Sequence, residues 1–257
     1  MPELPEVETY GRYFARHALR QRIARVDVRD ERILGEIRKD AFARKLTGRT
    51  FTSVRRHGKH LFVEAAPHWL HLHFGMSGDL SLDPNARFAR IVFSFAGGRH
   101  LAFEDMRLFG LAELLDSPDA FIADRGLGPD PLDPKFTFKR FATLLEKRRG
   151  AIKSLLMTQE IIAGLGNLYV DETLYQTSVH PRRPVDELRA NEERAIFTTM
   201  RRILRDSIAR LERDADWPAK YLTSHREEGD RCPRCGGTIR RTVVFGRTTY
   251  FCGRHQK

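Results

Sequence analysis

Cysteine is scarce in this chain, and a long hydrophobic run is absent from it. The 257 residues include 3 cysteines, Cys232, Cys235 and Cys252, all close to the carboxyl terminus. An odd, small number of cysteines argues against a disulfide framework. No apolar run reaches the length of about 20 residues that a membrane-spanning helix needs, and no amphipathic basic helix indicates a membrane partner. The start of the chain also lacks the features of a secretory signal peptide, so we expect a cytoplasmic protein.

Acidic residues are also in deficit. The chain has 45 Lys plus Arg against 34 Asp plus Glu, and its formal net charge at pH 7 is +11. A surplus of this size favours a polyanionic partner, because clustered Arg and Lys release counterions when they bind phosphates.

The cysteines occur in a metal-binding pattern. Cys232-Pro-Arg-Cys235 and Cys252-Gly-Arg-His255 are separated by 16 residues, and each pair directs its donors at one ion. Such a ligand set suits tetrahedral zinc and leaves no open position for catalysis. Alternating Val and aromatic residues within Thr238–Phe251 predict a β-hairpin between the pairs. Free thiols and a surface histidine are the alternative, but the shared spacing favours one structural Zn²⁺ ion.

The first residues of the chain indicate an amine nucleophile. A small second residue such as Pro2 favours removal of Met1, which would leave a secondary amine at the start of the chain. An α-amino group titrates at about 7.7–8.0, so part of it is uncharged near neutral pH. Such an amine attacks electrophilic carbon to form an iminium, and Glu3 is close enough to transfer a proton. The alternative is an ordinary helix start, in which Pro2 affects only processing.

Hydrophobic periodicity divides the chain into a helix, a β region and a helical region. It predicts a helix over Glu6–Leu19 and an all-β sandwich or barrel from Ile23 to Leu115. The clearest strands are Phe51–Val54, Leu61–Glu64, Trp69–Phe74, Ile91–Phe95 and His100–Phe103. Glycines and prolines over 126–134 indicate a domain boundary. Helical faces follow within Phe138–Leu145 and Ile196–Ile208.

Several motifs occur in a fixed order along the chain. They are Pro2-Glu3-Leu4-Pro5-Glu6-Val7-Glu8, His73-Phe-Gly-Met76-Ser77-Gly78, Gly164-Leu-Gly-Asn167-Leu168-Tyr169 and the terminal cysteine pattern. Together they resemble the bacterial formamidopyrimidine-DNA glycosylases of the Fpg/Nei family, over essentially the whole chain. The resemblance implies a multidomain α+β protein. Its domains would be an N-terminal catalytic β-sandwich (1–125), a linker (126–134), a helix-two-turn-helix DNA-binding domain (135–228) and a β-hairpin zinc finger (229–257).

The resemblance also implies a reaction, that of a bifunctional DNA glycosylase/AP lyase. Its substrates would be oxidised purines, chiefly formamidopyrimidines, with 8-oxoguanine as a second candidate. Pro2 would attack C1′ of a flipped nucleotide, and β- and δ-elimination would follow from the Schiff base. Glu3 matches the family's catalytic acid. Lys59 matches a hairpin lysine that contacts phosphate and supports catalysis, although a solvated turn lysine is the alternative.

Other residues match the family's DNA contacts. Met76, Arg107 and Phe109 match side chains that fill the gap left by the flipped nucleotide, although Met76 and Phe109 could instead be core residues. Asn167 and Arg247 match phosphate contacts, and without the resemblance the Asn167 segment is a simple turn. Lys153 is a further candidate phosphate contact. The supporting residues are Glu6, as an active-site or helix-dipole residue, and Glu172, as a helix-positioning residue.

Two departures from the family pattern bear on function. His255 stands where the family usually has cysteine, and imidazole is an adequate zinc ligand. The stretch Trp217–Arg231 is short, whereas the corresponding loop in the family folds over an everted 8-oxoguanine. We therefore expect activity on formamidopyrimidines, hydantoins or abasic sites to exceed activity on 8-oxoguanine.

Two other functions compete with this interpretation. The first is the same chemistry on Nei-like substrates, namely oxidised pyrimidines, hydantoins or crosslinked bases. The second is a non-enzymatic zinc-finger protein that binds damaged DNA, against which Pro2, Glu3 and Lys59 argue together. We expect a monomer that acts on damaged double-stranded DNA and is held at the bacterial nucleoid by that DNA.

Overall fold

The computed structural model describes residues 2–257. The expected removal of Met1 therefore lies outside the described residues. The chain forms two compact units, the first ending at Gly126 and the second beginning at Leu127. Across the described range, no helix combines the length and the apolar character needed to cross a membrane.

The first unit has two antiparallel sheets and an N-terminal helix. Its helices are α1 (Leu4–Ala18), α2 (Lys39–Leu46) and α3 (Pro118–Asp124). Its strands are β1 (Ile23–Val28), β2 (Val54–His57), β3 (His60–Ala65), β4 (His68–His73), β5 (Gly78–Ser81), β6 (Ala89–Phe95), β7 (His100–Asp105) and β8 (Leu111–Leu115). One sheet has the order β1-β6-β7-β5 and the other the order β2-β3-β4-β8.

Both sheets of the first unit bury their apolar residues in one core. Phe93 of β6 lies in the same buried cluster as Leu61 of β3 and Leu72 of β4. Phe51 contacts Phe93 edge-on, with ring centroids 5.6 Å apart. Such aromatic pairs add to the gain from burying their area. The shared core confirms the predicted sandwich.

Most of the predicted strands are confirmed. Four of them correspond to β3, β4, β6 and β7, with ends that differ by two residues or fewer. The strand predicted over Phe51–Val54 is wrong, because β2 begins only at Val54. Phe51 is instead a buried residue whose ring meets that of Phe14 at 5.0 Å. The pattern also missed α2, in which Phe42 and Leu46 are buried on one face.

The second unit is helical and ends in a β-hairpin. Its elements are α4 (Phe138–Leu145), α5 (Ile152–Met157), α6 (Asn167–Thr177), α7 (Ala190–Leu211), β9 (Ile239–Val244) and β10 (Arg247–Cys252). These elements confirm the predicted helical region and the predicted hairpin. A connecting segment, residues 212–231, joins α7 to the first cysteine pair and contains one short 3₁₀ turn at Leu222–Ser224.

Candidate functional site

Helix α1 fixes the residues at the start of the chain. Pro2 and Glu3 are both buried. The backbone N–H of Glu3 donates to Glu6 Oε2 at 2.9 Å, and the N–H of Val7 donates to the carbonyl of Glu3 at 3.0 Å. Glu6 thus satisfies a backbone donor that a helix start would otherwise leave without an intrahelical partner. Pro2 therefore directly precedes an ordered start of α1.

Lys59 lies in a tight turn that is tied to α1. Gly58 and Lys59 alone connect β2 to β3. Gly58 has a φ of +56°, a conformation that glycine adopts at little cost. Arg56 donates to the carbonyl of Gly58 at 3.1 Å and to Glu8 Oε2 of α1 at 2.8 Å. The turn is therefore held against the helix that carries the N-terminal residues.

Two loops of the first unit present the predicted gap-filling side chains. Met76 is 42% exposed and Phe109 is 55% exposed, so neither is a core residue. The guanidinium of Arg107 lies over the Phe109 ring, 4.9 Å from its centroid. A Cβ atom on Gly75 would lie 2.4 Å from the backbone carbonyl of Phe109. Glycine at this position is what allows the two loops to approach each other.

Sequence reasoning missed the residue that joins these loops, Asp105. Its carboxylate is fully buried. Its Oδ1 accepts from Ser77 Oγ at 2.5 Å and from the N–H of Arg107 at 3.1 Å. Its Oδ2 accepts from the N–H of Gly110 at 2.6 Å. The available signal was an aspartate at the end of a buried strand, two residues before Arg107.

A hydrogen-bonded pair of histidines runs through the sheet beside the Lys59 turn. His71 Nδ1 donates to Glu113 Oε1 at 2.8 Å, and His60 Nδ1 lies 2.9 Å from His71 Nε2. Burial lowers the pKa of His60 to about 2 and that of His73 to about 4, and it also lowers the pKa of His71. All three rings are therefore neutral at pH 7, and His60 donates to His71.

Lys153 is buried in the second unit, where it bonds to residues of α6 and β10. Its side chain is 0% exposed, and Nζ donates to Asp171 Oδ1 at 2.5 Å and to Asn167 Oδ1 at 2.6 Å. A further bond of 2.6 Å runs to Thr249 Oγ1 of β10. Asn167 Nδ2 in turn donates to the carbonyl of Thr248 at 2.9 Å. Lys153 therefore holds the hairpin against the start of α6, and its contact with phosphate stays a prediction.

The connecting segment is bonded to the same helix. Arg226 pairs with Asp171 Oδ2 at 2.9 Å and lies 5.0 Å from the centroid of the Tyr250 ring. Glu172 Oε2 accepts from the N–H of Thr223 at 2.9 Å and from its hydroxyl at 2.7 Å. Burial raises the pKa of Asp171 and of Glu172 above their ordinary values. Glu172 therefore attaches the connecting segment to α6.

Aromatic contacts pack the earlier part of the connecting segment as well. The Trp217 ring lies 6.1 Å from that of Tyr169 and 6.2 Å from that of Tyr221, measured between centroids. His225 Nε2 donates to the carbonyl of Ala219 at 2.7 Å. Tyr221 is itself buried. The segment is therefore folded onto the second unit and is not an extended loop.

The predicted zinc ligands come together. The donor atoms of Cys232, Cys235, Cys252 and His255 all lie within 4.8 Å of one another. His255 Nε2 donates to the carbonyl of Tyr175 at 3.2 Å, which leaves Nδ1 to face the cysteines. The Tyr175 hydroxyl lies 3.1 Å from Cys232 Sγ. A second hydrogen-bonded layer of this kind orients metal ligands, so this donor set fits one structural zinc ion.

Arg247 is exposed at the first position of β10. The two residues that follow it, Thr248 and Thr249, are those anchored by Asn167 and Lys153. The structure therefore brings Asn167, Lys153 and Arg247 to one place in the second unit. In the first unit, the loop that carries Met76 meets the loop that carries Arg107 and Phe109 through the contacts described above.

Comparison with protein families assigns the three parts of the chain. Residues 1–112 match the formamidopyrimidine-DNA glycosylase N-terminal domain. Residues 127–215 match the formamidopyrimidine-DNA glycosylase H2TH domain, and residues 229–255 match the zinc finger found in FPG and IleRS.

Individual relatives agree over the full length. The chain is 36% identical to a formamidopyrimidine-DNA glycosylase of Roseiflexus sp. (strain RS-1), covering 100% of both chains. The Lactococcus lactis formamidopyrimidine-DNA glycosylase bound non-covalently to DNA with an AP site superposes with a TM-score of 0.87, at 29% identity over 99% of each chain. A structure of MutM with carbocyclic 8-oxo-G DNA gives a TM-score of 0.88, at 28% identity over 100% of each chain.

Proposed function

The chain belongs to the formamidopyrimidine-DNA glycosylase family, and we propose that it repairs DNA by the family's chemistry with Pro2 as the nucleophile. As a member it is a base excision repair glycosylase for oxidised purines, and AP lyase activity is characteristic of the family. The observation that carries the assignment to Pro2 is the ordered first turn of α1, in which Glu6 accepts the N–H of Glu3.

The proposed reaction begins after Met1 is removed. The Pro2 nitrogen attacks C1′ of the flipped nucleotide as the bond from C1′ to the damaged base breaks, and the proton that the amine loses neutralises the departing base. Glu3 gives a proton to the sugar-ring oxygen as the ring opens, and the product is an iminium between C1′ and Pro2. The iminium acidifies C2′–H, so loss of that proton expels the 3′ phosphate. A second elimination then expels the 5′ phosphate.

DNA contacts in the first unit follow from the loops and the turn. We assign Lys59 to a phosphate beside the lesion, because its turn is fixed by Arg56. Met76 and Phe109 would fill the space of the flipped nucleotide, and Arg107 would face the orphan base. Their exposure and the stacking of Arg107 on Phe109 support this role.

DNA contacts in the second unit centre on the hairpin. We assign Arg247 to phosphate through its guanidinium, and Asn167 through backbone N–H groups at the start of α6. Lys153, Glu6 and Glu172 would act as positioning residues, each through the bonds described above. The one zinc ion would hold the hairpin that presents Arg247.

The packed connecting segment bears on the choice of lesion. Trp217 and Arg226 hold this segment onto the second unit at both of its ends. A segment held in this way is a poor cap for an everted 8-oxoguanine. We therefore propose that formamidopyrimidines, hydantoins and abasic sites are better substrates than 8-oxoguanine. Base-release rates on matched duplexes test this order, and a clear preference for 8-oxoguanine would contradict it.

We further propose a monomer that acts on double-stranded DNA in the cytoplasm, where the chromosome lies. The proposed domains are 1–125, 126–134 as a linker, 135–228 and 229–257. Family matches over 1–112 and 229–255 support the first and last of these domains, and the match over 127–215 supports a helical domain between them that also takes in most of the proposed linker. Sedimentation of the protein alone and with one duplex would establish the stoichiometry.

Borohydride trapping tests the central proposal. The purified protein is incubated with duplexes that carry an abasic site, a formamidopyrimidine, 8-oxoguanine opposite cytosine, or an oxidised pyrimidine. We expect a covalent adduct that mass spectrometry maps to Pro2, strongest with the abasic and formamidopyrimidine duplexes. Absence of any adduct from protein shown to lack Met1 would favour a non-enzymatic DNA-binding protein. A dominant adduct with the pyrimidine lesion would favour the Nei-like alternative.

A further inference from the structure

The turn of the zinc hairpin carries an aromatic residue in a backbone conformation that does not suit it. Because Val244 pairs with Arg247, Phe245 and Gly246 alone form the turn. Their φ angles are +53° and +65°. Two-residue hairpin turns with positive φ favour Asn-Gly or Gly-Gly. A residue with a Cβ crowds its own carbonyl there, so Phe245 weakens the turn that it occupies.

Burial does not compensate for this conformation. Phe245 is 57% exposed and Val243 is 56% exposed, the two largest values among the exposed large apolar side chains of the described residues. Residues in strained backbone conformations are held there by the surrounding structure, and they cluster at functional sites. An aromatic side chain that gains little from its own fold is best explained by a partner that covers it.

The surroundings of Phe245 indicate a polyanion as that partner. Arg241 and Arg247 are exposed on the two strands. Arg182 donates to the carbonyl of Val243 at 2.8 Å, which places a third guanidinium near the tip. No acidic residue occurs from Cys232 to the end of the chain. Guanidinium groups suit phosphates, whereas an aromatic ring between them suits sugars and base edges.

We propose that Phe245 is a wedge that enters the minor groove of the duplex gripped by Arg247 and packs against a base step there. This inference rests on the proposed function, because it assigns DNA as the partner. Minor-groove proteins commonly insert an apolar side chain between base steps and hold the flanking phosphates with Arg or Lys. A two-residue turn is narrow enough to enter that groove.

The hairpin is well anchored for such a role. Its base contains the zinc ligands, and its second strand is held at Thr248 and Thr249 by Asn167 and Lys153. Phe245 is thus carried on a preorganised element. Little conformational freedom of the backbone is lost when it binds, which favours affinity.

The test compares stability and DNA affinity in one variant. Phe245→Gly relieves the turn, so we expect a higher melting temperature for the zinc-loaded protein. We expect its Kd for a duplex with a non-cleavable abasic analogue to rise about tenfold, within the range for losing one aromatic contact with a base. The slope of log Kd against log salt should not change, because no cation is lost. Phe245→Leu should retain part of the affinity.

Leu211→Gln provides the matched control, because Leu211 is another exposed apolar residue of the second unit. Its Kd should equal that of the parent protein. An unchanged Kd in Phe245→Gly would overturn the wedge. So would a parallel loss of stability and affinity, since that pattern indicates a structural role. Borohydride trapping on an abasic duplex at saturating protein tests the proposed chemistry separately. If the parent protein binds the duplex but forms no covalent adduct, only the Pro2 mechanism is contradicted.

Discussion

Arg56 and Glu8 form an ion pair of 2.8 Å in which only 9% of the Arg56 side chain is exposed. Glu8 belongs to the helix that carries Pro2 and Glu3, and Arg56 belongs to the strand that leads to Lys59. The same guanidinium bonds the carbonyl of the Lys59 turn. One side chain therefore couples two parts of the proposed active site.

Arg56→Gln tests this coupling. We expect the rate of borohydride-trapped adduct formation to fall about tenfold, which corresponds to about 1.4 kcal/mol in the barrier. Loss of hydrogen bonds to a charged group should also lower the free energy of unfolding by about 1–3 kcal/mol. Single-turnover trapping on an abasic duplex and urea unfolding measure the two effects.

Arg12→Gln is the control for this experiment. Arg12 pairs with the same Glu8 at 3.1 Å, but 46% of its side chain is exposed, against 9% for Arg56. Exposed pairs contribute about 0–1 kcal/mol, so both trapping and stability should stay close to those of the parent protein. Equal effects of the two substitutions would show that loss of the Glu8 partner, and not the contact with the Lys59 turn, is responsible.

The buried histidines make the stability of the first unit depend on pH. The pKa of His73 is lowered to about 4 in the folded protein, below the 6.5 of the free side chain. The pKa of His60 is lowered further. The unfolded chain therefore binds more protons, so stability is complete above pH 6.5 and falls as the pH decreases from there towards 4. Over this range, each such histidine changes the free energy of unfolding by about 1.4 kcal/mol per pH unit.

Fluorescence provides a local measurement of this effect. The chain has 2 tryptophans, so Trp217→Phe leaves Trp69 of β4 as the single reporter, in the sheet that contains His60. Urea unfolding between pH 7.5 and 4.5 should show the slope. His60→Phe should reduce the slope of unfolding free energy against pH by the contribution of about one proton. A pH-independent free energy of unfolding over this range would show that these rings are protonated in the folded state.

Zinc binding should tolerate cysteine in place of His255. It should also depend on the side chains that hydrogen-bond to the zinc ligands. We expect His255→Cys to retain one zinc ion per chain and His255→Ala to lose it together with DNA affinity. Tyr175→Phe removes the hydroxyl beside Cys232 Sγ, and loss of such a second-layer contact weakens metal binding by about 10–100-fold. Chelator titration with a colorimetric zinc indicator measures these differences. If Tyr175→Phe binds zinc as tightly as the parent protein does, the Tyr175 hydroxyl does not support the site.

The sequence indicates the candidate catalytic and zinc-binding residues because these stand in short motifs, and it missed residues that act through tertiary contacts. The zinc ligands are recognisable from type and spacing alone, whereas Pro2 and Glu3 stand out through the family resemblance. Asp105, Arg56 and Asp171 resemble ordinary charged residues in the sequence. Their importance depends on which loop or strand they meet after folding, and no local pattern encodes that information. Helix α2 was missed for a related reason, because its eight residues lie between strands and only two of them are buried.

Lys153→Met distinguishes a positioning role from the phosphate contact that the family resemblance implies. Removing Lys153 deprives the buried Asp171 of its 2.5 Å partner and leaves Arg226 at 2.9 Å as the remaining cation, so the free energy of unfolding should fall by about 1–3 kcal/mol. Affinity for the abasic duplex should also fall, because the bonds through Lys153 that join Asn167 to Thr249 of the hairpin are lost. The slope of log Kd against log salt should nevertheless match that of the parent protein. Arg247→Gln, which removes a proposed phosphate contact, should reduce that slope by about one. A similar reduction in Lys153→Met would show that the ammonium group reaches phosphate in the complex, and Lys153 would then be a DNA contact as the resemblance implies.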